Sequence, residues 1–191
     1  FAWGSDAALR LWRLAADHWG LWPWLAPAAA LTLVAWLTRT LFRGAQGSGI
    51  PQTIAALRLR IPAERDALLS LRIAVGKPLL TMLALAGGAS VGREGPTVQI
   101  GASIMHSLRR FARFPMADVD RGLILAGGAA GVAAAFNTPL AGIVFALEVP
   151  YQRHLARRAL IPALIASSAS YVMFVSINGT QRILHTAGGS P

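Results

Sequence analysis

Apolar runs free of charge set the rhythm of this chain: His18 to Thr38, Pro78 to Gly92, Gly122 to Leu147 and Ala159 to Gln181. A membrane span takes roughly 17–25 mostly apolar residues, so three of these four runs are long enough to cross. The stretch LWPWLAPAAALTLVAWLTRTLF predicts a first strong helix, with Trp22 and Trp24 as interface anchors and Arg39 and Arg43 at its far end. It stops at GAQGSGIPQ, a glycine-rich break closed by Pro51. A short helix, QTIAALRLR, and a polar link, IPAERDALLS, follow. Pro78 is expected to open the next run, which ends at GGASVGREG. Pro96 then falls one or two residues into a new helix, where its missing N–H costs nothing. That helix is expected to reach about Arg110 and to end at Pro115.

After Asp118 and Asp120 comes GLILAGGAAGVAAAFNTPLAGIVFALE, too long and too interrupted for one plain helix. Asn137-Thr138-Pro139 reads as a helix end followed at once by a new N-cap with proline at its first turn. Gly127 and Gly131, four apart among alanines, predict a close helix-packing face. The last span, Ala159 to Ser176, carries Ser167, Ser168 and Ser170 on a tight-packing surface, and NGTQRILHTAGGSP trails into loop. Ahead of all this, FAWGSDAALRLWRLAADHWG shows no signal-peptide pattern. It places Leu9, Leu11, Leu14 and Ala15 near one side and reads as an amphipathic helix or the tail of a truncated one. No strand-like alternation of any length occurs. The class is all-α and polytopic, with broken, tilted helices.

Composition supports the membrane reading. The 191 residues are 54% hydrophobic and only 14% charged, whereas soluble domains carry about 25% charged residues. The first residue is Phe1, so the chain is read as a piece of something longer. A net charge of +10 would suggest nucleic acid in a soluble protein. Here the bases sit between apolar runs, as Arg58, Arg60, Arg65 and Arg72, then Arg109, Arg110 and Arg113, then Arg153, Arg157 and Arg158. Such clusters are topology signals and headgroup contacts, and nucleic acid is not an expected partner. The chain has no cysteine, which excludes disulfides and thiolate metal sites. His18, His106, His154 and His185 show no ligand spacing and read as interfacial residues, so neither metal nor cofactor is expected.

Irregular backbone at membrane depth survives only where protein buries it or a wet cavity faces it. Broken spans therefore point to an ion or substrate site near the midplane. The breaks GSGIP and GREGP share one design: glycine, polar residue, glycine, then proline soon after. Glycine lets the backbone approach a ligand, and proline starts a helix with fixed φ. The product is a helix N-terminus with unpartnered N–H groups and partial positive charge, which binds anions. Ser48 adds a hydroxyl donor to one such end. Glu94 places a carboxylate, a tethered anion, at the other. Plainer readings stand beside these: Glu94 as an ion pair with Arg93, Ser48 as a cap or turn residue. GASVGREG lacks the Lys-Ser/Thr of a phosphate loop.

GSGIP at 47–51, GREGPTVQIG at 92–101 and AAFNTPLAGIVFALE at 134–148, in that order, resemble the CLC family of chloride channels and chloride/proton exchangers. The spacing agrees over nearly the whole chain, from the tail of the family's first membrane helix through the first half of its inverted repeat. The resemblance implies that residues 1–191 are a partial CLC-type transmembrane domain in a lipid bilayer, in a homodimer whose subunits each hold a pore built from two inverted halves. It implies that Ser48 coordinates the central chloride, with the amides of Gly49 and Ile50 at that end and those of Glu94 and Gly95 at the other. Glu94 matches the external gating glutamate: deprotonated it occupies the anion site, and protonated it swings away, coupling chloride to protons. Lys77, with Arg93 beside the gate, would make the pathway electropositive. Residues 139–148 and 159–176 match part of the dimer interface. The implied setting is a bacterial plasma (inner) membrane.

Two departures matter. The family's exchangers carry an internal proton-handling glutamate directly after the position of Glu148, and here that residue is Val149. Tight proton exchange is therefore not expected, although Glu148 sits where it would feed a water path. The second half, with its GIFAP-like loop and pore tyrosine, is not in this sequence, so the fragment is not expected to transport alone. The competing functions are a non-transporting membrane scaffold and an intramembrane hydrolase with Ser48 as nucleophile. The hydrolase needs a base within hydrogen-bond reach, and Lys77 is its only candidate.

Overall fold

A computed structural model of the chain describes residues 2–18, 22–59, 61–109, 117–148 and 153–179. Among these the chain is all-α: α1 (Ala2–His18), α2 (Trp22–Thr40), α3 (Ile50–Arg58), α4 (Pro62–Leu68), α5 (Leu71–Ala86), α6 (Glu94–Leu108), α7 (Ala117–Phe136), α8 (Pro139–Glu148) and α9 (Arg153–Asn178). Among the described residues, three helical stretches are long and apolar enough to cross a membrane: Ala63–Ala86, Val119–Phe136 and Ala159–Ile177.

The breaks fall where the sequence puts them, with two corrections. The polar link is helical, as α4, because Pro62 at its first position presets the helical φ and Glu64 favours the positive helix end. Pro78 lies inside α5 rather than opening it. The helix starts seven residues earlier, since the arginine at 72 is no obstacle on an exposed face and one missing N–H is tolerated in a packed apolar helix. Pro96 is the third residue of α6, and Asn137 ends α7 with φ +52 before α8 starts at Pro139.

The core is built by close approach of small residues. Helices α6 and α7 run antiparallel, with Gly101 against Gly127 and Gly131 against Thr97. A Cβ on Gly131 would come within 2.8 Å of the Thr97 carbonyl carbon. Water offers no hydrophobic drive between helices in lipid, so such backbone contact is what holds spans together. Buried Ala56 and Leu57 of α3, Ala102 of α6 and Ile124 and Leu125 of α7 form the main apolar cluster. Helix α8 lies against α7 and α9, with Gly142 in contact with Ala129 and Ser167. Of the three α9 serines expected to pack, Ser167 is buried and Ser170 donates to the Ala130 carbonyl at 2.9 Å, whereas Ser168 is exposed.

Candidate functional site

The two glycine breaks meet. Gly49 sits at φ +112, a conformation only glycine holds without strain. A Cβ there would lie 2.6 Å from the Gly95 carbonyl oxygen, and one on Gly95 would lie 2.5 Å from that of Ser48. The starts of α3 and α6 are therefore side by side, and any side chain at either glycine would drive them apart. At α6 the amides of Glu94 and Gly95 have no carbonyl one turn back, and Pro96 has no N–H; the first helical bond runs from Thr97 to the Arg93 carbonyl at 3.3 Å. At α3 the Thr53 amide closes the first turn on Gly49. The Ser48 hydroxyl is exposed and has no partner among the described residues.

One expected ligand is corrected. The Gly49 amide is taken by Gln52 Oε1 at 3.0 Å, so it is not free to meet an anion. Gln52 also donates to the Gln46 carbonyl at 2.7 Å, which folds the loop onto its own helix. Ile50, the first residue of α3, keeps an amide with no helical acceptor.

Lys77 does more than add charge. Its residue is 3% exposed, and its ammonium donates to the carbonyls of Ala45 at 2.7 Å and Gly47 at 2.5 Å. It fastens the loop that carries Ser48. That also leaves it bound away from the role of general base, which removes the support for an intramembrane hydrolase. Gln99, fully buried on α6, donates to the carbonyls of Gly44 at 3.0 Å and Leu68 at 3.1 Å. Sequence reasoning missed Gln99. The signal was available: Gln99, Ser103 and His106 recur at helical spacing inside an apolar span, and polar residues there face inward.

Glu94 is exposed and its carboxylate makes no ion pair among the described residues. The pairing with Arg93 considered from sequence is absent. Arg93 turns to α1 instead, where its guanidinium meets Asp6 at 2.6 Å and Ser5 at 3.1 Å. Glu94 faces a cleft of about 350 Å³ walled by Leu9 and Trp12 of α1, Leu85 of α5 and the 88–93 loop. Glu148 stands apart, exposed at the end of α8. Val149 lies outside the described residues, as do Arg60, Arg110, Arg113 and His185; the side chains of His18, Arg153, His154, Arg157 and Arg158 are likewise not described.

A second polar constellation lies at the other end of α6, ~18 Å from Glu94 by helix rise. Arg65, 2% exposed, meets Asp120 at 2.6 Å and donates twice to the Leu59 carbonyl. His106, 1% exposed, bonds Asp120 and Asp66 at 2.9 Å each, and a single Arg109 nitrogen, Nη2, donates to both Asp66 oxygens at 2.8 and 2.9 Å. Arg65 and His106 are thus buried ionic-network residues rather than headgroup or interfacial ones. Their carboxylate partners stand 55 and 14 positions away in the chain, which hydropathy does not register. Among the described residues no cluster of His, Cys, Asp and Glu fits a metal ion.

The sequence pattern of the family described as "Voltage gated chloride channel" matches residues 30–190. The H(+)/Cl(-) exchange transporter ClcA of Vibrio cholerae is 37% identical over 144 residues, 73% of this chain and 29% of that protein. The transporters of the same name from Citrobacter koseri and Salmonella arizonae are 34% and 35% identical, over 94% and 88% of this chain and 36% of each relative. The chain thus spans about a third of the length of the curated relatives it matches. With the match running through both glycine breaks and all the helices from α3 to α9, the chain belongs to the voltage-gated chloride channel family.

Proposed function

We propose that this chain supplies one half of a membrane domain that moves chloride, with the anion held where the starts of α3 and α6 converge. The observation that carries the reading is the contact of Gly49 with Gly95. It sets two positive helix ends around one point, beside an unpartnered Ser48 hydroxyl. A dehydrated anion gains most from fixed N–H and O–H donors that need no reorganisation, and glycine is what lets the backbone supply them. Ser48, Ile50, Glu94 and Gly95 are the proposed ligands. Gly49 contributes conformation rather than a donor.

Glu94 is the proposed gate. Its carboxylate is tethered at the start of α6, carries the same charge as the substrate and has no ion pair among the described residues to hold it elsewhere. Ionised, it competes with chloride for the helix end; protonated, it has no claim on that end. Chloride flux and proton uptake are then linked through one side chain. The names of the relatives support a transporter rather than an enzyme, and support protons as a second substrate. Val149 argues for weak coupling, as a channel or a loosely coupled exchanger. A homodimer through 139–148 and 159–176 is supported by the apolar side chains left exposed there, among them Leu140, Val144, Ile161 and Ile165. A bacterial inner membrane is the proposed location, on the strength of the bacterial relatives.

The test is Glu94→Gln in the full-length protein, reconstituted in liposomes. Chloride flux persists and loses its pH dependence if Glu94 is the gate. Loss of all anion flux with an intact fold refutes the gate and returns Glu94 to a structural role.

A further inference from the structure

Resting on that gate reading, we propose that Asp6 of α1 is a positioning residue for the gate: it holds the Arg93 guanidinium on α1 and so leaves Glu94 unpaired. The two residues at the start of α6 carry opposite charges and adjoin in sequence. Left to themselves they are the nearest available ion pair, and a Glu94 held by Arg93 would be stabilised in its ionised form away from the helix end. The structure has a different pairing. Asp6 takes Arg93 Nη1 at 2.6 Å, and Ser5, fully buried, accepts from the same nitrogen at 3.1 Å.

Helix α1 is itself seated for the purpose. Gly4 meets Met82 of α5, Ala8 is buried and Trp12 packs on Gly88, so positions four apart along one face lie against α5 and the loop before α6. Ser5 borders that face and Asp6 lies beyond it on the exposed side, and both reach Arg93. Leu9 and Trp12 then wall the cleft that Glu94 also lines. Helix α1 precedes residues 30–190, which match the family's sequence pattern, so the latch comes from outside that pattern.

The other charged groups around Glu94 leave Arg93 as the one Asp6 controls. Arg10 and Arg13 lie one and two turns further along the Asp6 side of α1, exposed. Lys77, the charged group of α5 that approaches the site, is spent on two loop carbonyls. Arg58 of α3 and Asp120 and Arg121 of α7 belong to the ends of those helices remote from Glu94, where Arg65, Asp66, His106 and Arg109 also gather.

The experiment is the pH profile of chloride flux in liposomes, with the full-length protein as wild type, Asp6→Asn, Asp6→Glu, Arg93→Gln and Asp6→Asn/Arg93→Gln, each repeated with Glu94→Gln. Asp6→Asn releases Arg93 towards Glu94, favours the ionised gate and moves half-activation to lower pH, by about threefold in proton concentration for one unit charge in a wet cleft. Asp6→Glu keeps the wild-type profile. With Arg93→Gln already present, Asp6→Asn moves the midpoint by less than half as much. With Glu94→Gln present it moves nothing. A wild-type profile for Asp6→Asn, with Glu94→Gln flat in pH, overturns the latch and leaves the gate standing. A pH dependence that survives Glu94→Gln overturns the gate reading instead, and an Asp6→Asn shift surviving alongside it overturns the latch as well.

Discussion

Replacing Lys77 by Met, and then by Gln, separates its two contributions. Methionine fills a similar volume with no donor and no charge. The ammonium now gives two bonds, to Ala45 and Gly47, at 2.7 and 2.5 Å from a residue 3% exposed. Hydrogen bonds to a charged group are worth about 1.5–3 kcal/mol each, so the gross loss to the loop is about 3–6 kcal/mol. Against this stands the relief of no longer burying an ammonium, which in proteins is itself several kcal/mol. The two nearly offset in global stability. They do not offset in the loop, because the relief goes to α5 while the lost bonds were those fixing residues 45–47. A residual ~1.5 kcal/mol in the loop is already a tenfold change in the population of its fastened form. We expect Lys77→Met to fold and to lower chloride affinity by about tenfold or more in titration calorimetry of the solubilised full-length protein. Lys77→Gln, which keeps a donor and drops the charge, should recover about half of that loss in free energy. If Gln and Met are equally impaired, the charge alone matters and the clasp is wrong. If Met binds chloride within twofold of wild type, both contributions are refuted.

Two further outcomes follow from the far end of α6 and from the residue after α8. Asp120→Ala strands Arg65 and removes one of two partners of His106, so it should cost about 3–5 kcal/mol, while Arg65→Met with Asp120→Leu together should cost less than Asp120→Ala alone. Thermal unfolding of the full-length protein in detergent orders the variants, and a double variant less stable than Asp120→Ala would refute the expectation. Val149 carries no proton, so a chloride gradient across vesicles should drive little or no stoichiometric proton movement in the unmutated protein; strong uphill proton pumping sinks this expectation.

What sequence disclosed and what it hid divide along one physical line. Breaks are written locally: Gly49 and Pro51, or Asn137 and Pro139, carry their backbone preferences with them, so α3, α6 and α8 begin where turn and cap chemistry says. Small residues at helical spacing, Gly127 and Gly131, likewise announced a close packing face on α7, because a missing Cβ is a property of the residue itself, but not that α6 would fill it. Pro78 misled because the same proline suits a helix start or a packed apolar helix interior, and only the partners of α5 decide between them. Polar pairing is not local at all. Arg65 and Asp120 are 55 positions apart and Arg93 and Asp6 are 87 apart, so each reads alone as a solvated or headgroup charge until the helices are placed. The motif marked Glu94 as chemically active, yet whether its carboxylate is free depends on where Arg93 goes. That choice is made by a helix whose sequence carries no motif. On the proposed reading, a gate written in ten residues is conditioned by a contact outside them, and substitutions in α1 should alter gating while leaving GREGP intact.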